Sequence, residues 1–408
     1  MMNTNKKTPK LRFKGFSDDW EQCKLDDIAK IKTGGGTPKT AKPEYWSGNI
    51  PWIQSSDLVE GDITHVNINK FINNNALKNS AAKLISRDSI ALVTRVGVGK
   101  VAVINQDFTT SQDFLSLSDF DGNDIKFIAY QLFRLMQENA KVLQGTSIKG
   151  ITKTELIEQS ILIPNSGQEQ HLISNVLSKI DSIITLHQCK LEKLKLTKKA
   201  LLQKLFPKNG KRIPEIRFKG FTDAWEQRNL ESLFTKYEDK VKTPNSGYWR
   251  LGLRSHCKGT FHTYVDAGNE LETAEMNRVQ SGNFILNITF AWERALAVTN
   301  EEDQDKLVSH RFPQFKPNSD LAIDFFKHTL IDKRFKHHLE LSSPGGAGRN
   351  KVLKIADMLK YELLVPSIKE QNEISSFLNN VDYIITLYQR KLDRLISIKK
   401  ALLQQLFV

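Results

Sequence analysis

Glu169-Gln-His-Leu-Ile-Ser-Asn-Val-Leu-Ser-Lys-Ile-Asp181 opens a stretch, Glu169 to Phe206, that returns without a gap as Glu370 to Phe407 with 22 of 38 positions identical. The identities include Asp181 with Asp382, Ile183-Ile-Thr-Leu186 with Ile384-Ile-Thr-Leu387, and Lys198-Lys-Ala-Leu-Leu-Gln203 with Lys399-Lys-Ala-Leu-Leu-Gln404. From Gln168 to Phe206 there is no Pro or Gly, and Leu, Lys, Glu, Gln and Ala dominate, so a long helix is predicted. Ile180, Ile184, His187, Leu191, Leu194, Lys198, Leu201 and Leu205 step alternately by four and three, the seam of a coiled coil. The second copy sets Val381, Ile385, Tyr388, Leu392, Leu395, Lys399, Leu402 and Leu406 at the same steps. Pro207 is expected to end the first helix, because proline cannot continue the hydrogen-bond ladder. A helix of about 39 residues reaches roughly 58 Å. A stripe that long needs a partner, and two copies in one chain predict an antiparallel pair.

Working outward, a shorter pair precedes each half. Pro9-Lys-Leu-Arg-Phe-Lys-Gly-Phe-Ser-Asp-Asp-Trp-Glu-Gln22 recurs as Pro214-Glu-Ile-Arg-Phe-Lys-Gly-Phe-Thr-Asp-Ala-Trp-Glu-Gln227, with ten of fourteen positions identical. The chain is a tandem duplication. Between the repeats, Cys23 to Gly150 and Arg228 to Val352 match poorly letter by letter but share a layout. Each has β-rich runs, Ile90–Thr94 and Val101–Ile104 in one, Phe284–Phe290 and Ala295–Thr299 in the other. Each continues with a helical stretch (Asp124 to Val142; Ser319 to Leu341), a glycine-bearing loop, and a short strand ending at Pro164 or Pro366. One scaffold carrying two different surfaces is the natural reading.

Composition narrows the class. Apolar residues make up 39% and charged residues 26% of 408, which fits a soluble globular protein. No run approaches the roughly 18 apolar residues of a membrane span. No apolar region follows the basic start, so a cytoplasmic protein is expected. Cys23, Cys189 and Cys257 are widely spaced and read as incidental. Lys and Arg number 59 against 46 Asp and Glu, a net charge of +13, which suits a polyanionic partner.

The order module, long helix, module, long helix resembles the specificity subunits of type I restriction–modification systems. Four segments of the first half are similar to recurrent segments of that family's target-recognition domains: Gly34-Gly-Gly-Thr-Pro38, Glu44 through Leu58, Val93-Thr-Arg-Val-Gly97 and Thr110-Ser-Gln-Asp-Phe114. In the second half Gly346-Ala-Gly-Arg-Asn-Lys351 stands where Gly145-Thr-Ser-Ile-Lys-Gly150 stands in the first, and no counterpart of the Gly-Gly-Thr-Pro segment occurs. The resemblance implies an α+β protein: two globular α/β target-recognition domains in a tandem pseudo-two-fold repeat, separated by two long antiparallel coiled-coil helices. The expected boundaries are residues 1–166 and 208–366 for the recognition domains, and 167–207 and 367–408 for the spacer helices. It also implies a non-catalytic subunit that reads a bipartite asymmetric target in double-stranded DNA, one half-site per domain. Two modification (methyltransferase) subunits and the restriction/translocase subunits would be its partners. S-adenosylmethionine, ATP and Mg would belong to those partners, with no cofactor bound by this chain.

The residues agree with that expectation. An adenine methyltransferase needs a Pro-Pro-aromatic loop for the flipped base, and the chain has no Pro-Pro. Gly145-Thr-Ser-Ile-Lys-Gly-Ile-Thr152 has Ile151 where a phosphate-binding loop needs Lys. Gly97-Val-Gly-Lys-Val-Ala102 is followed by a β-branched run rather than a helix, so it reads as a turn between strands. No His-Glu-x-x-His metal motif occurs, and His337 and His338 are adjacent, facing different ways on a helix. The alternatives are a coiled-coil scaffold or adaptor that reads no sequence, and a nuclease with an unrecognised site.

Polar and basic side chains on glycine-rich loops are the natural readers of DNA. In the first module these are Thr37, Lys39, Lys42, Gln54, Ser55, Ser56, Asp57, Arg95, Lys100, Gln112, Ser147 and Lys149. In the second they are Arg250, Arg254, His256, Trp292, Arg294, Arg311, Arg349, Asn350 and Lys351. Trp20, Tyr45, Trp46, Trp52 and Trp225 read as core anchors rather than base-stacking groups.

Overall fold

The computed structural model describes residues 7–144, 150–208, 210–345 and 351–408. The chain divides into two compact units, Met1–Leu191 with Tyr388–Val408, and Glu192–Leu387.

In the first unit β1 (Glu21–Lys24) leads into the single turn α1 (Leu25–Ile28) and then β2 (Ile31–Gly34), β3 (Ile50–Ile53) and β4 (Phe71–Ile72). After α2 (Asn74–Lys78) come β5 (Ser89–Val93), β6 (Val101–Ile104), β7 (Thr109–Thr110) and β8 (Phe114–Ser118). Helices α3 (Ile125–Gln144) and α4 (Lys153–Ile157), then β9 (Ser160–Ile163), complete the module before the long helix α5 (Gly167–Lys204). An antiparallel sheet in the order β2-β8-β5-β6 forms the centre. Every residue of β5, β6 and β8 is buried, and the two-residue period of a strand sorts them onto opposite faces. Ile90, Leu92, Val101, Val103, Leu115 and Leu117 pack with Phe127, Ile128, Tyr130 and Leu132 of α3. Ala91, Val93, Ala102, Ile104 and Phe114 pack the other way, on Ile53, Leu58, Ile85 and Phe108. Each such large side chain contributes roughly 1.5–3 kcal/mol by leaving water. That second layer includes β3 of the small sheet β4-β3-β7.

The second unit repeats the frame. After α5, β10 (Glu226–Asn229), α6 (Leu230–Leu233) and β11 (Phe234–Tyr237) precede β12 (Lys240–Lys242), β13 (Tyr248–Leu253), β14 (Thr260–Val265) and β15 (Glu275–Arg278). Then follow β16 (Phe284–Leu286), β17 (Leu296–Val298), β18 (Leu307–Val308) and β19 (Gln314–Pro317). Helices α7 (Ile323–Leu330), α8 (Lys333–Leu341) and α9 (Ile355–Leu359), strand β20 (Glu362–Val365) and the long helix α10 (Ile368–Gln405) finish the chain. The sheet β11-β19-β16-β17 is the counterpart of the first unit's central sheet, and β10 pairs with β20 as β1 pairs with β9. The frames diverge in the second layer, where a five-stranded sheet, β12-β15-β18-β13-β14, stands in place of three short strands.

The repeated sequences do the same work in both units. Arg12 grips Glu169 through two bonds of 2.7 and 2.9 Å, and Arg217 grips Glu370 through two of 2.8 Å. Gln170 accepts the Asp124 N–H and donates to Pro164 O, while Gln371 accepts the Ala322 N–H and donates to Pro366 O. The Glu-Gln pair thus fastens the preceding strap and the start of the module helix to the long helix. Trp20 and Trp225 are both buried, against Phe127 and Phe407 in one unit and Phe206 and Phe325 in the other.

The helix segments run antiparallel within each unit. In the first, the Lys399 ammonium pairs with the buried Asp181 carboxylate and also donates to Gly61 O, and the Tyr388 ring lies 5.8 Å from His187. In the second, Lys198 pairs with Asp382 at 2.5 Å. Of the apolar stripe, Ile184, Leu191 and Leu392 are buried, while Ile180, Leu194, Leu201, Val381, Ile385, Tyr388, Leu395 and Leu402 are partly covered. Leu205 and Leu406 drop into the module cores with Trp225 and Trp20.

Three local expectations need correction. The first long helix stops at Lys204 rather than at Phe206, at the same register as Gln405 in the second copy, where Leu205 and Leu406 turn into the module cores; Leu205 N–H still reaches Leu201 O at 2.8 Å. The stretch Ser319 to Leu341 is two helices, since Asp332 is extended and its carboxylate accepts the Arg334 N–H as a new N-cap. The run Phe284–Phe290 is a strand only to Leu286, after which the Asn287 side chain takes the Thr289 N–H and turns the backbone.

Candidate nucleic-acid interface

In the first unit the glycines after β2 are threaded against neighbouring backbone. Gly36 N–H donates to Thr110 O at 2.8 Å, and the Trp52 indole donates to Gly36 O at 3.0 Å. A Cβ on Gly35 would stand 1.9 Å from Ser111 O, and one on Gly36 2.0 Å from Ala81 O, so only glycine fits. This approach sets Thr37 beside Gln112, with the Thr37 hydroxyl donating to Gln112 Oε1 at 2.5 Å. Arg95 follows β5 at the base of the β5–β6 hairpin, whose turn uses Gly97 and Gly99 at φ of 89° and 111°. Ile151 N–H donates to Thr94 O at 2.8 Å, which brings Thr152 and Lys153 to the same place. Gly34, Gly35, Arg95, Gln112, Thr152 and Lys153 therefore share one open depression of about 400 Å³. Its polar side chains are mostly hydrogen-bond donors, as a polyanion with acceptor-bearing base edges requires.

The other first-module residues divide. Lys39 and Ser56 are exposed, and Lys42 lies over the Tyr45 ring at 5.0 Å. Gln54 accepts a bond from Lys70. Asp57 points inward: it is buried and accepts the Gln54 N–H at 2.9 Å in a capping box. Lys100 donates to Ser55 O and Leu58 O at 3.0 and 2.9 Å, fastening that loop to the hairpin. Ser147 and Lys149 lie outside the described residues.

In the second unit the segment after β16 is the hub. Ile288 N–H donates to Arg311 O at 3.0 Å, Leu353 N–H donates to Ile288 O at 2.9 Å, and the Trp292 indole donates to Thr289 O at 3.2 Å. These bonds bring Arg311, Trp292 and Lys351 together, with the Lys351 ammonium 5.1 Å from the Trp292 ring centre. Arg250 on β13 shares with Arg311 and His310 an open depression of about 590 Å³. Arg254 stacks on the half-exposed Phe261 ring at 5.1 Å. His256 and Arg294 sit in left-handed backbone at φ of 63° and 59°, and the Arg294 guanidinium donates to Ile331 O at 3.5 Å. Arg349 and Asn350 lie outside the described residues.

Lys153 and His310 are not picked out by sequence reading; Lys153 follows the segment Gly145 to Thr152 and His310 precedes Arg311, so adjacency to singled-out residues is the available signal. Tyr45, Trp52, Trp20 and Trp225 are buried and Trp46 packs edge-on against Trp52 at 5.0 Å, as core anchors do. Gly97-Val-Gly-Lys-Val-Ala102 is the turn and first residues of a β-hairpin. Among the described residues no group of three or more His, Cys, Asp or Glu is placed to hold a metal ion. No described helix is long and apolar enough to cross a membrane.

Residues 17–196 and 222–396 both match the type I restriction modification DNA specificity domain. The chain belongs to that family. It is 34% identical over 173 residues to the type I restriction enzyme MjaIX specificity subunit of Methanocaldococcus jannaschii, covering 41% of this chain and 39% of that one. It is 29% identical over 180 residues to the EcoR124I/EcoR124II specificity subunit of Escherichia coli, covering 42% and 43%. The matched stretch thus spans about two fifths of the length of these relatives. The fold is that of the type I restriction-modification S subunit from M. genitalium, with a TM-score of 0.60 at 17% identity over 98% of this chain and 99% of that one.

Proposed function

We propose that this chain is the DNA-reading specificity subunit of a cytoplasmic type I restriction–modification complex, each unit reading one half of a bipartite target. The observation that carries this reading is the contrast between frame and contents. The straps, central sheets, module helices and Glu-Gln fasteners repeat, whereas the polar sets they present do not. Arg95, Gln112 and Lys153 face one depression, with Thr37 bonded to Gln112; Arg250, His310 and Arg311 face the other, with Trp292 and Lys351 close by. A duplicated scaffold with unlike donor sets suits a target of two unlike halves.

The long helices dock the modification subunits. The repeated Ile-Ile-Thr-Leu turns one apolar pair outward in each copy, Ile183 with Leu186 at 40% and 69% exposure and Ile384 with Leu387 at 41% and 42%. Twin apolar patches at the same register of two repeated helices fit two copies of one partner. S-adenosylmethionine, ATP and Mg act in the partners, which supply methyl transfer, translocation and cleavage.

The test is a methylome comparison in cells expressing this chain with its modification partner. Arg95→Ala is expected to relax one half of the methylated motif, and Arg250→Ala or Arg311→Ala the other. Loss of all methylation alike in each variant would refute separate reading. A wild-type chain that directs no motif would leave a scaffold, and methyl transfer or strand breakage by the chain alone would make it an enzyme.

A further inference from the structure

We infer that Thr37 is a positioning residue for base reading: its hydroxyl holds the Gln112 amide so that the N–H₂ group is offered to the DNA. The inference rests on the proposed function and deepens it. A glutamine amide is nearly isosteric about its terminal bond, and turning it over exchanges donor for acceptor. Left to itself such a side chain accepts either order of partners and discriminates poorly. Here the Thr37 oxygen lies 2.5 Å from Gln112 Oε1, a separation that suits O–H···O and is too short for a normal N–H···O bond. The hydroxyl is therefore the donor, the carbonyl oxygen is held at the threonine, and Nε2 is left with both hydrogens to give. The placement is built rather than incidental. The Cβ-excluding contacts of Gly35 with Ser111 O and of Gly36 with Ala81 O draw the segment in until Thr37 meets Gln112.

Arg95 and Lys153, which line the same depression, also carry only donors. The base edge facing Gln112 consequently presents an acceptor: adenine N7, guanine N7 or O6, or thymine O4. Cytosine, whose major-groove polar group is the N4–H₂ donor, is disfavoured there.

The experiment selects bound duplexes from a randomised library with the full-length chain, alone and with its modification partner, and sequences them. Thr37→Val keeps the shape and removes the O–H; it is expected to reduce base preference at one position of one half-site by roughly two- to tenfold, the net weight of one hydrogen bond. Thr37→Ser, which keeps the O–H, restores the preference. Gln112→Glu, an acceptor only, shifts the same position toward cytosine. A wild-type chain that enriches no motif defeats the proposed function itself. A wild-type motif that Thr37→Val leaves unchanged at every position, or weakens evenly throughout, overturns this inference alone.

Discussion

Replacing Lys399 by Met should cost the first unit far more than replacing its repeat partner, Lys198, costs the second. Asp181 is 3% exposed and Lys399 6%. The carboxylate takes the ammonium on one side and the Tyr130 hydroxyl at 2.6 Å on the other. Removing the cation leaves a buried charge with a single hydroxyl partner, a loss of about 3–5 kcal/mol. The side chains of Lys198 and Asp382 are 24% and 46% exposed, so water replaces the lost partner and the cost is about 0–1 kcal/mol. Burial already pushes the Asp181 carboxyl above the ordinary carboxylate range, against the pull of Lys399 and Tyr130. Without the lysine it rises further. A carboxyl whose folded value is raised destabilises fully above that value and not at all below the unfolded value of about 3.9. The cost of Lys399→Met should therefore shrink as pH falls from 8 toward 5. Asp181→Asn in the same chain should restore most of the stability and flatten the pH dependence. Urea titrations read by hydrogen exchange in α3 and in α7 follow the two units separately. Costs equal within 1 kcal/mol for the two lysine variants, or a Lys399→Met cost that does not vary with pH, would refute the reasoning.

Three further outcomes are expected. Arg12→Ala and Arg217→Ala should each destabilise their own unit by about 3 kcal/mol, because Glu169 and Glu370 are 1% exposed and lose both bonds; thermal unfolding with exchange readout checks the equality. Burial holds the His328 imidazole down at about 4, with Lys198 adding to the effect. A depressed folded value gives stability that is complete above the unfolded value of about 6.5 and lost toward 4, so the second unit should weaken by roughly 3 kcal/mol over that window. In His328→Phe that component should vanish from a pH series of melts. Gly36→Ala should cost about 1–3 kcal/mol by forcing backbone off Ala81 O, and should impair binding to one half-site while sparing the other; equal loss at both in a competition assay would contradict the threading described.

What the sequence made legible follows from the range of the interactions. The long helices and the sheet strands Ile90–Val93 and Val101–Ile104 are written in local periodicity, and the duplication is written in identity. The Lys399–Asp181 pair is not: both residues stand out in the repeat alignment, yet only an antiparallel fold brings positions 218 apart into contact. Thr37 and Gln112 were each singled out, in separate segments, but their contact depends on how Gly35 and Gly36 pass Thr110–Ser111. The strands β12, β15 and β18 escaped because two to four residues are too few to display an alternation. Asp57 and Lys100 look like polar loop residues in sequence and prove to be fasteners of the loop, since burial of a small polar group depends on its partners rather than on its type.

The division of the chain between the units bears on its synthesis. Residues 192–387 are contiguous, and the second unit holds all its own parts once they have been made. The first unit does not: Trp20 and Phe127 need Phe407 to close their cluster, and Leu11 N–H finds its acceptor in Gln405 O. On the ribosome, the half of the protein that is translated first is therefore the half that matures last, and until then its open apolar seam is exposed to the translating cell's chaperones.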